Sequence, residues 1–281
     1  MTHRGVRLAA SNIAWPRHLA AEALAVLGRA GIGGLEAAPG LLFDGDWTDV
    51  DPADARATRA DLEVQGLEVP ALQGILFGQE HLQLFGDRTS RDGLADHLVN
   101  MGRLAQGVGA GVLVFGAPRN RVRGDLGERA ALDRAVDFFR HVGERLAALG
   151  VTLTIEPLPR AYGCDFIHTL QEAAELVERT GSSGIGLQLD VGSLSMADES
   201  PDSLIPDVVH ILKHVHASEP HLQVLGEGEA SEGGWHRAVS GALERAGYDG
   251  WVSAEMRASE DPISSLKRAV AFLESRYGSE R

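Results

Sequence analysis

Short apolar runs recur along the sequence, and most end at a polar residue before a stretch with helical spacing and a glycine-containing turn. The eight runs are Val6–Asn12, Gly34–Ala37, Val69–Gln73, Val112–Phe115, Val151–Glu156, Ile185–Asp190, Leu212–His216 and Trp251–Glu255. Short buried strands that alternate with helices predict repeated βα units and a parallel sheet. Eight units in 281 residues give about 35 residues per unit, which predicts an α/β protein with a single (β/α)8 TIM barrel over residues 1–281.

The segments between the runs carry apolar residues at intervals of three or four, the spacing of a helix that packs on a barrel wall. Two clear stripes are Leu132, Val136, Phe139, Val142, Leu146 and Leu149, and Ile263, Leu266, Val270 and Leu273. The alternative is a doubly wound open sheet with a nucleotide site. No glycine-rich phosphate loop follows the first run, and the glycines at 31–34 come after a helix and before a strand, so the barrel is favoured.

Composition narrows the class of protein and of partner. Acidic residues number 40 against 26 Lys and Arg, which gives a net charge of -14, so nucleic acid is an unfavourable partner. Cys164 is the one cysteine, so no disulfide within the chain is expected and a cytoplasmic location is predicted. No apolar run approaches the length of a membrane span, so no membrane association is expected.

The functional face of a parallel barrel lies at the carboxyl ends of its strands. Four consecutive predicted strands end in titratable residues: Glu156, Asp190, His216 and Glu255. Their separations are 34, 26 and 39 residues, each close to one βα unit, so the four side chains should ring one point in space. Three carboxylates and an imidazole would repel one another there without a counter-charge, and a divalent cation is the simplest neutraliser. The oxygen-rich set favours Mn²⁺, with Mg²⁺ or Co²⁺ as alternatives.

Each residue taken alone has an ordinary interpretation, because strand-end carboxylates often cap helices and most histidines are structural. The coincidence of four is harder to explain by packing. Because side chains alternate along a strand, Thr154 shares a face with Glu156, Gln188 with Asp190 and His214 with His216. The spacing therefore predicts a metal centre.

Several motifs resemble a known family. They are Ile155-Glu156-Pro157-Leu158, Leu189-Asp190, His216-Ala217-Ser218-Glu219 and the segment from Gly247 to Glu255. Across nearly the whole chain the sequence resembles the xylose isomerase-like TIM-barrel sugar phosphate isomerase/epimerase superfamily, and within it the ketose 3-epimerases of the tagatose/psicose type. The resemblance implies that Glu156, Asp190, His216 and Glu255 bind the metal and that Glu156 and Glu255 serve as catalytic acid and base. It also implies a small-molecule sugar substrate and a homo-oligomer of unspecified size.

Two positions depart from the epimerase pattern. Those enzymes usually have a substrate-contacting His three residues after the ligand Asp and an Arg six residues after the ligand His, where this chain has Ser193 and Leu222. The substrate is therefore left open, with a weak preference for a sugar without phosphate. Six further residues are candidates for substrate contact: Glu36, Gln73, His214, Glu219, His221 and Arg257. For each of them, a salt bridge or simple solvation is the ordinary alternative.

The leading interpretation is proton transfer at a carbon next to a carbonyl through a metal-stabilised enediolate. Epimerisation and aldose-ketose isomerisation are not separated by the sequence. Three alternatives are a lyase or dehydratase on the same metal, an apurinic endonuclease, and a non-catalytic sugar-binding or scaffold protein. The acidic charge disfavours the endonuclease. Metal binding and the identity of the product would discriminate between the others.

Overall fold

The computed structural model describes residues 5–278 and contains eight parallel strands. They are β1 (Arg7–Ser11), β2 (Gly34–Glu36), β3 (Ala71–Leu72), β4 (Val112–Phe115), β5 (Thr152–Ile155), β6 (Ile185–Asp190), β7 (Leu212–Ser218) and β8 (Trp251–Glu255). The strand order is β2-β1-β8-β7-β6-β5-β4-β3, so consecutive strands from β3 to β8 pair with one another, β8 pairs with β1, and β1 pairs with β2. The predicted boundaries at residues 1 and 281 lie outside the described residues.

Two isolated bridges close the barrel between β2 and β3, joining Gly34 to Glu68 and Ala37 to Leu72. The amide of Ala37 donates to the carbonyl of Ala71, and the amide of Gln73 donates to the carbonyl of Ala37. The sheet therefore returns on itself, and the predicted TIM barrel is confirmed.

All eight predicted strands are present; β1, β2 and β5 are shorter than predicted by one residue at one or both ends, and β3 and β7 differ by more. The predicted third strand, Val69–Gln73, is reduced to β3 because Pro70 has no amide hydrogen to donate to a ladder. The seventh extends two residues beyond His216, to Ser218, since Ala217 and Ser218 still pair with β8. This extension brings Ser218 into the same layer as Glu255, with which it is in register.

Helices follow the strands on the outside of the barrel. They are α1 (Ala20–Ala30), α2 (Pro39–Leu42), α3 (Pro52–Val64), α4 (Arg88–Val108), α5 (Glu128–Ala147), α6 (Leu170–Thr180), α7 (Val191–Met196), α8 (Pro201–Val208), α9 (Glu229–Glu232), α10 (Trp235–Ala246) and α11 (Pro262–Tyr277). Between residues 5 and 278, none of these helices combines the length and the apolar character needed to cross a membrane.

The two predicted apolar stripes lie on α5 and α11. Along α5, Val136, Phe139, Val142 and Leu146 are buried, whereas Leu132 and the residue just beyond the helix, Leu149, are half-buried. Four residues of α11 are buried in the same way: Ile263, Leu266, Val270 and Leu273. Both helices therefore bury one face against the barrel, as their spacing predicts.

The inner face of the barrel is polar where the predicted site lies. Thr154 on β5, Gln188 on β6 and His214 on β7 are fully buried, and the Thr154 hydroxyl donates to Gln188 Oε1 at 3.1 Å. Gln188 and His214 are in register, as are Asp190 and His216 one step further along. The period-two alternation therefore directs successive layers of polar side chains into the barrel and leaves Leu189 and Val215 facing the helices.

Candidate functional site

Glu156, Asp190, His216 and Glu255 meet at the carboxyl ends of β5 to β8, and we call them the four-residue cluster. Glu156 directly follows β5, Asp190 and Glu255 end β6 and β8, and His216 lies on the inner face of β7. One ligand atom from each lies within 4.8 Å of the others, and all four residues are buried. The structure thus brings together the four residues that the strand spacing places around one point.

The imidazole of His216 is the centre of this cluster. Its Nδ1 atom lies 3.1 Å from Glu255 Oε2, 3.2 Å from Glu156 Oε1 and 3.9 Å from Asp190 Oδ2. Three carboxylates therefore converge on one edge of a single ring. Only one of them can share a proton with Nδ1 at a time, so the cluster has more acceptors than donors.

A fourth carboxylate, that of Glu36 at the end of β2, supports the other edge of the ring. Glu36 Oε1 lies 2.9 Å from His216 Nε2, and Glu36 Oε2 lies 3.2 Å from His214 Nε2. Both contacts are buried, and burial would raise the pKa of Glu36, yet the two imidazoles hold that pKa far below its usual range. A carboxylate that accepts a hydrogen bond from the Nε2–H group of His216 fixes the tautomer of the ring and leaves Nδ1 free to bind a cation.

The electrostatics of the cluster favour an additional positive charge. Burial raises the pKa of Glu156, Asp190 and Glu255, and the charge of Glu156 raises that of Asp190 further. Burial alone would lower the pKa of His216, but Glu255 and Glu36 hold it well above its usual value. Without a cation the cluster therefore retains protons that ordinary side chains would release.

Asp190 both caps a helix and belongs to the cluster. Its Oδ1 accepts a hydrogen bond from the amide of Ser193 at 2.6 Å, in the first turn of α7. Its Oδ2, the oxygen nearer His216, accepts a hydrogen bond from the Ser218 hydroxyl, which itself accepts one from the amide of Gly192 at 3.0 Å. The helix-capping interpretation of a strand-end aspartate is thus correct here, and it orients the carboxylate toward the cluster.

Glu156 depends on two residues of the chain after β4. A Cβ atom at Gly116 would lie 1.8 Å from Glu156 Oε2, so only glycine leaves space for this carboxylate. The buried guanidinium of Arg121 donates to the backbone carbonyl of Glu156 at 2.8 Å and lies over the ring of Phe115, 6.0 Å from its centroid. Together these contacts determine where the Glu156 carboxylate can lie.

The donor set suits a hard divalent cation. Three carboxylate oxygens and one imidazole nitrogen match the ligand preferences of Mn²⁺, Mg²⁺ or Co²⁺ and lack the thiolates that softer metals select. Glu36, His214 and His216 form a second group close enough to bind a metal, but their hydrogen bonds to one another already account for it. The four-residue cluster is therefore the candidate metal centre.

A cavity of about 450 Å³ opens over the cluster. Glu156, Asp190 and Glu255 line one part of it, and Ser193 of α7 together with the loops after β3, β4, β5 and β7 lines most of the rest. A pocket of this size at the carboxyl ends of barrel strands, lined by both polar and apolar side chains, is typical of a small-molecule site.

The six residues predicted as substrate contacts separate into three pairs. Gln73 and Glu219 line the cavity, whereas Glu36 and His214 are fully buried in hydrogen bonds beneath it. The exposed residues His221 and Arg257 do not line it. The positions of Glu36 and His214 therefore suit support of the cluster, and contact with a ligand in the cavity would require them to leave these hydrogen bonds.

Glu219 uses its carboxylate to hold its own loop. Oε2 accepts from the amides of Ala230 and Ser231 at 2.9 and 3.2 Å, and Oε1 accepts from the amide of Gly226 at 3.1 Å and from the Ser231 hydroxyl. His236 Nε2 lies 3.4 Å from Oε1. Burial would raise the pKa of Glu219, but His236 and Ser231 lower it. We call this set the Glu219 anchor.

Two further residues of the site, Arg121 and Tyr162, are not among the candidates predicted from the sequence. Arg121 lies in a polar loop whose charged residues are ordinarily solvated, and nothing in the letters distinguishes it from its neighbours. Tyr162 lines the cavity, and its hydroxyl accepts a hydrogen bond from the amide of His221 at 2.7 Å. An aromatic residue six positions after Glu156, in the loop that follows a barrel strand, is a weak sequence indication of a residue that lines the cavity.

Solved structures with the same fold include three sugar epimerases. L-ribulose 3-epimerase is 20% identical with a TM-score of 0.76, and the match covers 97% of this chain and 94% of that one. The apo form of 3-keto-D-glucoside 4-epimerase from E. coli is 18% identical over 96% and 99% of the two chains, with a TM-score of 0.77. D-psicose 3-epimerase with D-tagatose, from Clostridium cellulolyticum H10, is 15% identical over 98% and 100%, with a TM-score of 0.78.

The fold also occurs with another named activity. A family 2 AP endonuclease from Brucella melitensis is 22% identical over 93% of this chain and 96% of that chain, with a TM-score of 0.73. No curated protein matches the sequence. At these identities the likeness establishes the fold, and chemistry has to be argued from the site.

A sequence model of one family covers most of the chain. The family is described as Xylose isomerase-like TIM barrel, and the match runs over residues 24–276. This range includes all four residues of the cluster, as well as Glu36 and the Glu219 anchor. The resemblance noted from the motifs is thereby confirmed, and the chain belongs to the Xylose isomerase-like TIM barrel family.

Proposed function

We propose that this protein is a divalent-metal-dependent sugar isomerase or epimerase that moves a proton next to a carbonyl group. The observation that carries the proposal is the convergence of three buried carboxylates on Nδ1 of His216, beneath a cavity at the carboxyl ends of the strands. The proposal is also supported by the shared fold of three sugar epimerases.

Glu156, Asp190, His216 and Glu255 would hold the cation, and Mn²⁺ is our first choice. When bound, the cation supplies Lewis acidity that stabilises negative charge on the oxygens of an α-hydroxycarbonyl compound. Its charge would also offset the burial that raises the pKa of Glu156 and of Glu255, and would favour the ionised form of both carboxylates.

Glu156 and Glu255 are the proposed acid and base. One carboxylate removes the proton from the carbon next to the carbonyl; the C–H electron pair becomes a C=C bond and the carbonyl π pair moves to its oxygen, which gives the enediolate. In an epimerisation the other carboxylate returns a proton to the opposite face of the same carbon and the carbonyl re-forms. In an isomerisation the proton goes to the former carbonyl carbon, and the proton of the neighbouring hydroxyl moves to the former carbonyl oxygen as the new carbonyl forms. The two residues come from β5 and β8, which are separated by two strands, so they reach the centre from different sides.

Metal content is the first test. Purified protein is loaded with Mn²⁺, desalted and analysed by elemental mass spectrometry, together with Asp190→Ala. A matched control is Asp202→Ala, an exposed residue of α8 that pairs with Arg245. We expect about one equivalent of metal in the wild type and in the control, and little in Asp190→Ala. Absence of metal from the wild type would overturn the proposal in favour of a binding or scaffold protein.

Solvent exchange tests the chemistry. The Mn²⁺-loaded protein is incubated with a panel of ketoses in deuterated water, and products are analysed by NMR. We expect deuterium on the carbon next to the carbonyl together with an inverted or isomerised sugar. A product that lacks the elements of water would instead assign the same cluster to a dehydratase.

A further inference from the structure

The cavity has a chemically distinct side that the proposed reaction does not use. It is formed by six residues, which we call the apolar wall: Ile75, Leu76, Phe77, Pro118, Leu158 and Leu222. The first three follow β3, the next follows β4, and the last two follow β5 and β7. Since β4 lies next to β5 in the sheet and β3 lies next to β4, the wall extends from the cluster toward the half of the barrel mouth that supplies no cluster residue.

Two residues of this wall have apolar side chains at positions where packing within the barrel does not require them. Phe77 is 82% exposed, although aromatic rings contribute most when they are covered. Leu222 has a left-handed backbone, with φ of 54°, which is uncommon for residues other than glycine, asparagine and aspartate. Backbone strain of this kind is concentrated at ligand sites, so it points to a ligand that covers this surface.

Near the carboxylates of the cluster, Gln73, Tyr162 and Ser193 line the cavity and can meet hydroxyl groups. Three polar residues also lie on the loops that carry the apolar wall, but they have partners within the chain: Arg119 pairs with Glu80 at 3.4 Å, and the Asn120 amide donates to the carbonyls of Gln79 and Leu82. A sugar with a hydroxyl on every carbon would place some of them against the apolar wall, where an unpaired hydroxyl is costly to bury. The volume of about 450 Å³ lies within the range of pockets that hold drug-sized ligands, so a single sugar ring would occupy only part of it.

We propose that the substrate is a sugar that carries both a carbonyl group and a hydrophobic substituent, of the class of aryl or alkyl glycosides in which one ring carbon is a ketone. Its hydroxyl and carbonyl groups lie at the four-residue cluster, and its substituent lies on the apolar wall between Phe77 and Leu222. This inference rests on the proposed function, because it takes the cluster as the place where the sugar reacts. It deepens that function by naming the chemical class that the cavity selects.

Binding measurements on the Mn²⁺-loaded protein test the inference without turnover. The probes are phenyl and methyl β-D-glucopyranoside and the corresponding pair of β-D-galactopyranosides, and affinity is measured by isothermal titration calorimetry. We expect a phenyl group to improve affinity by about tenfold or more over methyl in at least one pair, because hydrophobic pockets discriminate by this factor for small apolar groups.

Variants locate the preference. Leu222→Asn removes the apolar side chain and suits a left-handed backbone, so we expect the phenyl preference to fall to about threefold or less while Mn²⁺ binding is retained. Phe77→Asn, at an exposed position, should reduce the preference as well and serves if Leu222→Asn does not fold. The control is Val64→Asn, since Val64 is 88% exposed at the end of α3, before β3 and away from the cavity, and this change should leave the preference intact.

The outcomes separate this inference from the proposed function. Equal affinity for phenyl and methyl glycosides in both pairs overturns the inference, and the proposed function survives if Mn²⁺ still binds and a free ketose is still converted. A phenyl preference that is unchanged in both Leu222→Asn and Phe77→Asn also overturns it. A wild-type protein that does not bind Mn²⁺ overturns the proposed function itself.

Discussion

The four-residue cluster and the Glu219 anchor are built from the same kinds of residue, yet they are opposites in electrostatics. Both are buried and both contain glutamate and histidine. Glu219 receives hydrogen bonds on both oxygens from its own loop, and its pKa is lowered. In the cluster, three carboxylates share one imidazole edge, and the pKa of Glu156, like that of Glu255, is raised.

The difference teaches how to separate a structural acid from a functional one. A buried carboxylate whose lone pairs are satisfied contributes to folding and has no need of a ligand. A set of carboxylates with more acceptors than donors is costly to maintain unless a cation completes it.

The largest effect is expected in turnover. Glu156→Gln and Glu255→Gln each remove a proposed acid or base without changing the shape of the side chain. We expect kcat for a converted ketose to fall about 10²–10⁴-fold in each variant, with the fold retained by circular dichroism. Glu219→Gln is the comparison, because it alters a buried glutamate of the cavity wall that has no proposed proton-transfer role. If both cluster variants kept the wild-type kcat, the four-residue cluster would be no more functional than the Glu219 anchor, and the proposed roles of Glu156 and Glu255 would be wrong.

The Glu219 anchor should instead control stability. In Glu219→Gln an amide group replaces one acceptor oxygen and faces amide donors of the loop, so we expect the free energy of unfolding to fall by about 1.5–3 kcal/mol. Urea denaturation measures the loss. The control is Glu227→Gln, a half-exposed residue of the same loop that pairs with Arg268, where a change of about 0.5 kcal/mol or less is expected. An equal loss of unfolding free energy in the two variants would refute the stabilising role of the Glu219 anchor.

The stabilisation from Glu219 should depend on pH in a definite direction. Its pKa in the folded protein lies below the ordinary value of 4.5, so its contribution is present above that value and is lost as the pH falls further. The difference in unfolding free energy between wild type and Glu219→Gln is therefore expected to be full at neutral pH and to shrink below about pH 4.5. A difference that grows on acidification would contradict the lowered pKa.

The smallest effect is expected from the support beneath the cluster. Glu36→Gln can still accept a proton from one imidazole, but it cannot accept from His214 and His216 together. We expect the Mn²⁺ affinity of the metal-free protein to fall about 10–100-fold, as is usual when a partner of a metal-bound histidine is changed. An unchanged Mn²⁺ affinity would mean that Glu36 stabilises the barrel interior and does not support metal binding. Glu219→Gln again serves as the control, with its Mn²⁺ affinity unchanged.

Much of the fold follows from local patterns. The eight apolar runs predict the strands because a parallel barrel strand is buried on both faces and is limited in length by the barrel. The shortening of β3 follows from Pro70, which is itself a sequence signal, whereas the extension of β7 depends on the partner strand, because Ser218 pairs with β8. The strand-end rule also accounts for the meeting of Glu156, Asp190, His216 and Glu255.

The rest of the site depends on contacts between distant segments. Glu36 is 180 residues from His216, and nothing in its local sequence shows that it accepts from two imidazoles. Gly116 resembles any loop glycine until the Glu156 carboxylate is found against it. The apolar wall likewise gathers residues from four separate loops, whose side chains could equally have packed into the core.

The sequence by itself determined the barrel and the positions of the four cluster residues, because the period of a strand and the length of a βα unit are local properties that repeat. Only the tertiary structure decided which buried acids have their lone pairs satisfied, which residues support the cluster and which face of the cavity is apolar. Those properties depend on closure of the barrel and on how the loops fold back over it, and both are set by contacts between residues far apart in the chain.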